Sequence, residues 1–163
     1  MDSEYKTILR KAESKYAICK KFLSQLSKRK IQKFDSEVHA IHDHVFSRID
    51  CTKCANCCRA LGPRLNMTDI DRFAALFRIS ESTFRQKYLK TDEDGDLVFM
   101  SMPCPFIDAH DLCSVYESRP RACMRYPHTD EKNIHTKLPR LAINSLYCPA
   151  AVLIIEELME KYS

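Results

Sequence analysis

The sequence predicts a mainly α-helical fold, one small domain with an N-terminal helical hairpin and a loop-rich, cysteine-ligated metal core. Three observations carry this expectation. Apolar residues recur at three- and four-residue intervals through most of the first fifty positions, the spacing of a buried helix face. Eight of the nine cysteines lie between Cys51 and Cys148, many in segments with little periodicity. The stretch between Pro103 and Pro127 is rich in proline, charge and turn residues.

Taken in order, Tyr5, Ile8, Leu9, Ala12, Tyr16, Cys19, Phe22, Leu23 and Leu26 form one apolar stripe on a long helix. Ile31, Phe34, Val38, Ile41, Val45 and Ile49 form a second, with "SKRK" and "DSE" as breaks between them. The two stripes predict a helical hairpin over residues 1–50, part of the same domain as a cysteine core over 51–163. Cys19 sits within the first stripe, where a thiol behaves as a small hydrophobe, so it is assigned to the core. "NMTDIDRFAALFRIS" predicts a short helix capped by Thr68, with Ile70, Phe73, Ala74 and Phe77 facing inward. Ser80 is placed to cap the next, "ESTFRQKYLK". "DEDGD" reads as a turn and "LVFMSM" as a short strand. Pro149 suits the first turn of a final helix that buries Ala150, Leu153, Ile154 and Leu158.

Composition narrows the function. At 163 residues with 45% hydrophobic residues the chain can build an ordinary core, so it does not need cysteines for want of one. The first residues carry charges every few positions, and the longest apolar run, "AAVLII", is too short to span a bilayer. A cytoplasmic protein without membrane contact is expected, and in a reducing compartment dense cysteines favour metal or redox chemistry over disulfides. Two glycines, Gly62 and Gly95, leave no room for a phosphate-cradling or dinucleotide loop. Residues 1–33 hold ten Lys or Arg against three acids, while the remainder balances at −3. That basic helix suits an unidentified protein partner. Nucleic acid is not expected, because no base-reading motif accompanies the charge.

The cysteines carry the chemistry. Cys51-x-x-Cys54-x-x-Cys57-Cys58 is followed by Cys104, Cys113, Cys123 and Cys148, and all eight are candidate metal ligands. A CxxC step brings two thiolates within reach of one ion. Three such positions at 51, 54 and 57 match the opening of a ferredoxin-type run, and Cys104-Pro105 and Cys148-Pro149 match its closing Cys-Pro. The spacing tilts towards an iron–sulfur cluster of the 4Fe-4S type and leaves zinc open. Adjacent Cys57 and Cys58 point in different directions and need not serve one ion. The CxxxCxxC order of radical methyl-donor enzymes is absent. Arg59, Arg64, Arg119, Arg121 and Arg125 lie close enough in sequence to neutralise an anionic site, with Phe106, Tyr116 and Tyr126 limiting solvent. His39 and His42 fall three apart on a helix, where a solvated face outweighs a ligand pair; His110 and His128 are reserve ligands. No Ser/His/Asp or Cys/His catalytic pattern stands out.

"CTKCANCCRALGPRLNMTDIDRF", "PCPFIDAHDLCSVYESRPRACMRYP" and the later "CP" together resemble the YkgJ-type cysteine-cluster family, described as a zinc- or iron-chelating domain. The resemblance covers residues 51 to about 149. It implies that Cys51, Cys54, Cys57, Cys58, Cys104, Cys113 and Cys123 are the cluster cysteines and that Cys148 is the last member. It implies metal or iron–sulfur binding and no particular reaction. A redox or protein-modification role is the expectation; a similar cluster occurs in flagellin lysine N-methylases, although this chain is much shorter and lacks a recognisable methyl-donor site. A non-catalytic structural zinc module is the alternative.

Overall fold

The computed structural model describes residues 1–163. It is mainly α-helical, with eight α-helices and one two-stranded antiparallel sheet. No helix is long and apolar enough to cross a membrane. The chain forms two compact units. A terminal unit comprises Met1–Cys54 and Pro127–Ser163, and a central unit comprises Ala55–Tyr126.

In the terminal unit, α1 (Ser3–Leu26) and α2 (Phe34–Phe46) are the two helices that the stripes predict. Asp2 caps α1 by accepting from the Glu4 N–H at 3.0 Å. Both helices lie against α8 (Pro149–Tyr162), and α1 also packs on α7 (Leu138–Asn144). The shared core is made of Leu23, Leu26, Val38, Val45, Leu138, Leu141, Ile154, Ile155 and Leu158, each at most 2% exposed. Cys19 packs against this core from α1. The cations of α1, from Lys6 through Lys21, all face solvent. Helix α7 has no counterpart in the sequence reading. A 3₁₀ turn, Ile134–Lys137, leads into it, and Asp35 of α2 accepts from the Asn133 and Ile134 N–H groups at 2.7 and 3.0 Å.

The central unit begins with the short helix α3 (Asn56–Ala60), then α4 (Met67–Phe77) and α5 (Glu81–Tyr88). Asn66, not Thr68, caps α4. Asn66 is the last extended residue, its Oδ1 accepts from the Asp69 N–H at 2.9 Å, and Asp69 Oδ2 accepts from the Asn66 N–H at 3.2 Å. This reciprocal pair is a capping box with Asp in the acidic place. Ser80 caps α5 as expected, accepting from Thr83 N–H at 3.1 Å. That helix stops at Tyr88, however, because Leu89–Thr91 turns extended as β1 and pairs with β2 (Leu97–Phe99). Asp92 closes the hairpin by accepting from the Asp94 and Asp96 N–H groups, and Gly95 takes a left-handed φ of +82°. Phe73 stacks on Phe84 at 5.2 Å and on Phe106 at 5.3 Å, with Phe99 edge-on at 6.3 Å. Such ring pairs contribute about 0.5–1.5 kcal/mol each beyond burial. From Met100 to Tyr126 the chain is mostly loop, with a 3₁₀ turn at Tyr116–Ser118 and the short α6 (Arg121–Arg125).

Candidate metal centre

None of the nine cysteines is in a disulfide. Seven of them fall in two sets, each within one compact unit, and Cys57 hydrogen-bonds to Cys58 of the larger one.

The larger set belongs to the central unit. The Cys104 N–H donates to the Cys58 carbonyl at 2.8 Å, which ties the end of the cysteine-rich turn to the start of the second cysteine segment. Ile107 and Cys113 then face each other across an isolated antiparallel bridge, and the Ser114 N–H donates to Phe106 O at 2.8 Å. This folds Cys113 back beside Cys104. Cys123 sits in α6, whose first turn is closed by its own N–H donating to Pro120 O at 2.9 Å.

The four thiols sense one another. Cys104 is pushed up to about 11, first by burial and further by the charges of Cys58 and Cys113. Cys123 is pushed up to about 12 by burial and then by Cys58, Cys104 and Cys113. Burial also raises Cys113, with Cys58 adding to it. Every pairing among Cys58, Cys104, Cys113 and Cys123 is thus represented. Cys58 goes the other way, down to about 7. The Cys57 thiol hydrogen-bonds to it, outweighing burial, and the Arg119 charge and its own backbone N–H assist. Backbone N–H groups of Phe106 and Val115 point at the sulfurs of Cys104 and Cys113, each two residues upstream. Amides aimed at sulfur are how proteins stabilise bound thiolates.

Of the five arginines expected around the site, Arg119 acts on these thiols. Its charge favours the thiolates of Cys58, Cys113 and Cys123. The guanidinium lies 3.6 Å from the Tyr116 ring centroid, and its Nε is buried with no hydrogen-bond partner. A buried donor without an acceptor costs free energy unless an anion meets it. The net negative charge of a thiolate-bound metal would meet that donor. Arg59 instead pairs with Asp111, and Arg64 lies 3.4 Å from Asp96 on the surface. Phe106 is buried in the aromatic core, and Cys104 and Cys113 pack against that core.

Asp69 and Arg72, which the sequence reading treated only as part of a helix, hold this arrangement. Asp69 is 1% exposed, and its Oδ1 accepts from Arg72 Nη2 at 2.7 Å and from the Arg121 N–H at 3.0 Å. Arg72 Nη2 also donates to Arg119 O at 2.7 Å, and its Nε to Ser118 O at 3.3 Å. The first turn of α4 therefore fixes the backbone from 118 to 121 and, with it, Arg119 and the start of α6. The motif "DIDR" carried the signal: an acid and an Arg three apart on a helix, just after the cysteine run.

The smaller set belongs to the terminal unit. Cys51 and Cys54 bracket a 3₁₀ turn closed by the Cys54 N–H donating to Cys51 O at 3.1 Å. Cys148 is the residue before α8, and its thiol is pushed up to about 12 by burial. The Ala151 and Ala150 N–H groups oppose that rise, and the charges of Cys51 and Cys54 add to it. In neither unit do three His, Cys, Asp or Glu side chains stand together as a group that could hold a metal ion. The histidines are engaged elsewhere: His39 Nε2 lies 3.0 Å from Glu131 O, and His42 Nδ1 lies 2.8 Å from Thr129 Oγ1. His110 is exposed.

Residues 50–149, more than half of the chain, match the family described as "Putative zinc- or iron-chelating domain" and named for its CxxCxxCC motif. The chain belongs to the CxxCxxCC family. No curated protein and no solved structure matches it. The family assignment agrees with the sequence resemblance and with a zinc- or iron-chelating role for this CxxCxxCC domain, and it does not choose between the metals.

Proposed function

We propose that the central unit chelates zinc or iron through the thiolates of Cys58, Cys104, Cys113 and Cys123. The observation that carries this reading is the backbone bond that ties Cys104 to Cys58 and the bridge that folds Cys113 back towards Cys104, together with a buried Arg119 Nε that has no hydrogen-bond partner. Four thiolates close the coordination sphere, which is the ligand set of a structural zinc site and equally of an iron–sulfur cluster. Either occupant would bring net negative charge to Arg119 and to the amides at Cys104 and Cys113. The centre organises residues 100–126, which have little regular structure of their own. With a cluster bound it would also supply one-electron chemistry. The case for a cluster from the CxxCxxC run asks Cys51, Cys54 and Cys57 to act together; the four thiols named here do not need them, so zinc becomes an equal candidate.

The test is metal analysis of anaerobically purified protein. Visible absorbance with iron and acid-labile sulfide identifies a cluster, and colourless protein with stoichiometric zinc identifies a structural site. Cys104→Ser and Cys123→Ser should each cost this metal, whereas Cys19→Ala should keep it. Full metal retention in both serine variants would refute the reading.

A further inference from the structure

We propose that the cavity at the turn between α1 and α2 binds a small anion carrying two or more phosphoryl groups, held by Lys28, Arg29 and Lys30. The site involves none of the cysteines and goes beyond the metal-chelating role.

The cavity lies wholly within the terminal unit, holds about 520 Å³, and has Lys28, Arg29, Lys30, Ile31, Phe34 and His135 in its lining. Residues 27–33 read "SKRKIQK", four cations and no acid. Their backbone is fixed. The Lys28 N–H donates to Gln25 O at 3.2 Å and the Arg29 N–H to Leu26 O at 3.0 Å, while buried Leu26 and Phe34 anchor the stretch at either end. Arg29 is held in place as well: its Nη1 donates to Tyr162 O at 2.8 Å, and its guanidinium lies 5.8 Å from the Tyr162 ring centroid. That contact fixes one arm of the fork and leaves its other N–H groups for an outside acceptor. The neighbouring acids are engaged elsewhere. Asp35 accepts from the Asn133 and Ile134 N–H groups, and Glu37 is taken by Lys161 and the Tyr162 hydroxyl. The ion pairs of this unit draw on Arg48, Lys53, Lys137 and Lys161, and Lys28, Arg29, Lys30 and Lys33 enter none of them.

The chemistry suits a compact polyanion. Like charges on one short turn repel unless a counterion meets them, and a concave border lets one anion meet several at once. A phosphoryl group brings up to two charges and three acceptor oxygens, which an Arg fork takes in bidentate fashion and a Lys as a point charge. The volume falls within the range of small-molecule sites, roughly 300–1,000 Å³, and has room for more than one such group. A carboxylate brings a single charge, so an acidic peptide gains less from three adjoining cations. Nucleic acid fits less well too. The phenyl ring in the lining, Phe34, is 6% exposed and stands edge-on to Tyr162 at 5.8 Å, so it offers no free face for a base to stack on.

The experiment uses the full, metal-loaded chain, with fructose 1,6-bisphosphate as the probe because it carries two phosphoryl groups and competes only weakly for metal. Calorimetry and amide NMR at about 0.15 M salt should show one saturable site, with shifts centred on residues 27–35. Inorganic phosphate should bind more weakly than the bisphosphate. The double variant Lys28→Gln/Lys30→Gln should bind the bisphosphate roughly tenfold more weakly. Lys11→Gln/Lys15→Gln removes the same charge from exposed positions of α1 outside the cavity and should bind as wild type does. Circular dichroism confirms the helices in both. Equal weakening in the two double variants, or binding that does not saturate, would overturn the proposal and leave only diffuse charge attraction. A single-stranded oligonucleotide or a glutamate-rich peptide that binds through Lys28 and Lys30 where the bisphosphate does not would also overturn it, and would make the turn a nucleic-acid or protein contact.

Discussion

Asp69 shows how much one buried carboxylate can govern. It closes the α4 capping box, pairs with Arg72 and receives the Arg121 N–H, all while 1% exposed. Hydrogen bonds to a charged group contribute roughly 1.5–3 kcal/mol, and a partner left behind without one adds a desolvation cost. Asp69→Asn keeps the size but replaces one acceptor oxygen with a donor that faces other donors. The variant should lose about 2 kcal/mol in urea unfolding of the metal-free protein. It should also surrender metal to a chelator faster, because Arg119 and the start of α6 lose their anchor. An unchanged midpoint together with unchanged release would show that the segment 118–121 is held by something else.

At the scale of elements, α2 is held to the segment 128–131 by His39 and His42. His42 is half-buried, tilted against Phe46 at 4.4 Å and bonded to Thr129. Burial lowers its pKa below the usual histidine value of 6.5, assisted by His39 and opposed by Asp130 and Asp43. The unfolded chain therefore takes up this proton first as the pH falls. The stability from neutral His42 is present above about pH 6.5 and is lost on acidification through the folded pKa. Thermal midpoints should fall between about pH 7.5 and about pH 5.5, and less so in His42→Asn, which cannot titrate. An equal fall in the variant would contradict the assignment. This pair also marks where sequence reading stops. Helical periodicity reports burial along one element, so the stripes of α1, α2, α4 and α8 were legible. What an element meets is a tertiary matter: the "HAIHDH" face reads as solvated until residues 128–131 are folded onto it. For the same reason Leu89 and Lys90 looked helical, since a three-residue strand exists only through its partner Leu97–Phe99. The family's cysteine motif was legible, but the division of the cysteines between the central and terminal units was not, because Cys54 and Cys57 are neighbours in sequence. The adjacent pair is joined to each other, the Cys57 thiol hydrogen-bonding to that of Cys58.

At the scale of the whole molecule, the two units draw on different sources of stability. The terminal unit buries a contiguous aliphatic core from four helices, and nothing in that core depends on a metal. The central unit has an aromatic cluster beneath α4 and α5, but its segment from Met100 to Tyr126 has only a bridge, a 3₁₀ turn and a five-residue helix. Ordering each residue of such a segment costs about 1–2 kcal/mol of backbone entropy, which so few contacts do not offset. Thiolate–metal bonds can: a structural zinc contributes about 10–16 kcal/mol in small peptides. Hydrogen exchange of loaded and chelated protein should therefore diverge by region. Chelation should greatly accelerate exchange in residues 103–126, with α6 losing its protection. The amides of Ile154 to Leu158 in α8 and of α7 should keep theirs, and Phe73 and Phe84 should hold α4 and α5 at an intermediate level. Equal acceleration in α7 and in residues 103–126 would refute this division. Unchanged exchange in 103–126 would mean that the loops are ordered by their own contacts, and that the thiols serve chemistry alone.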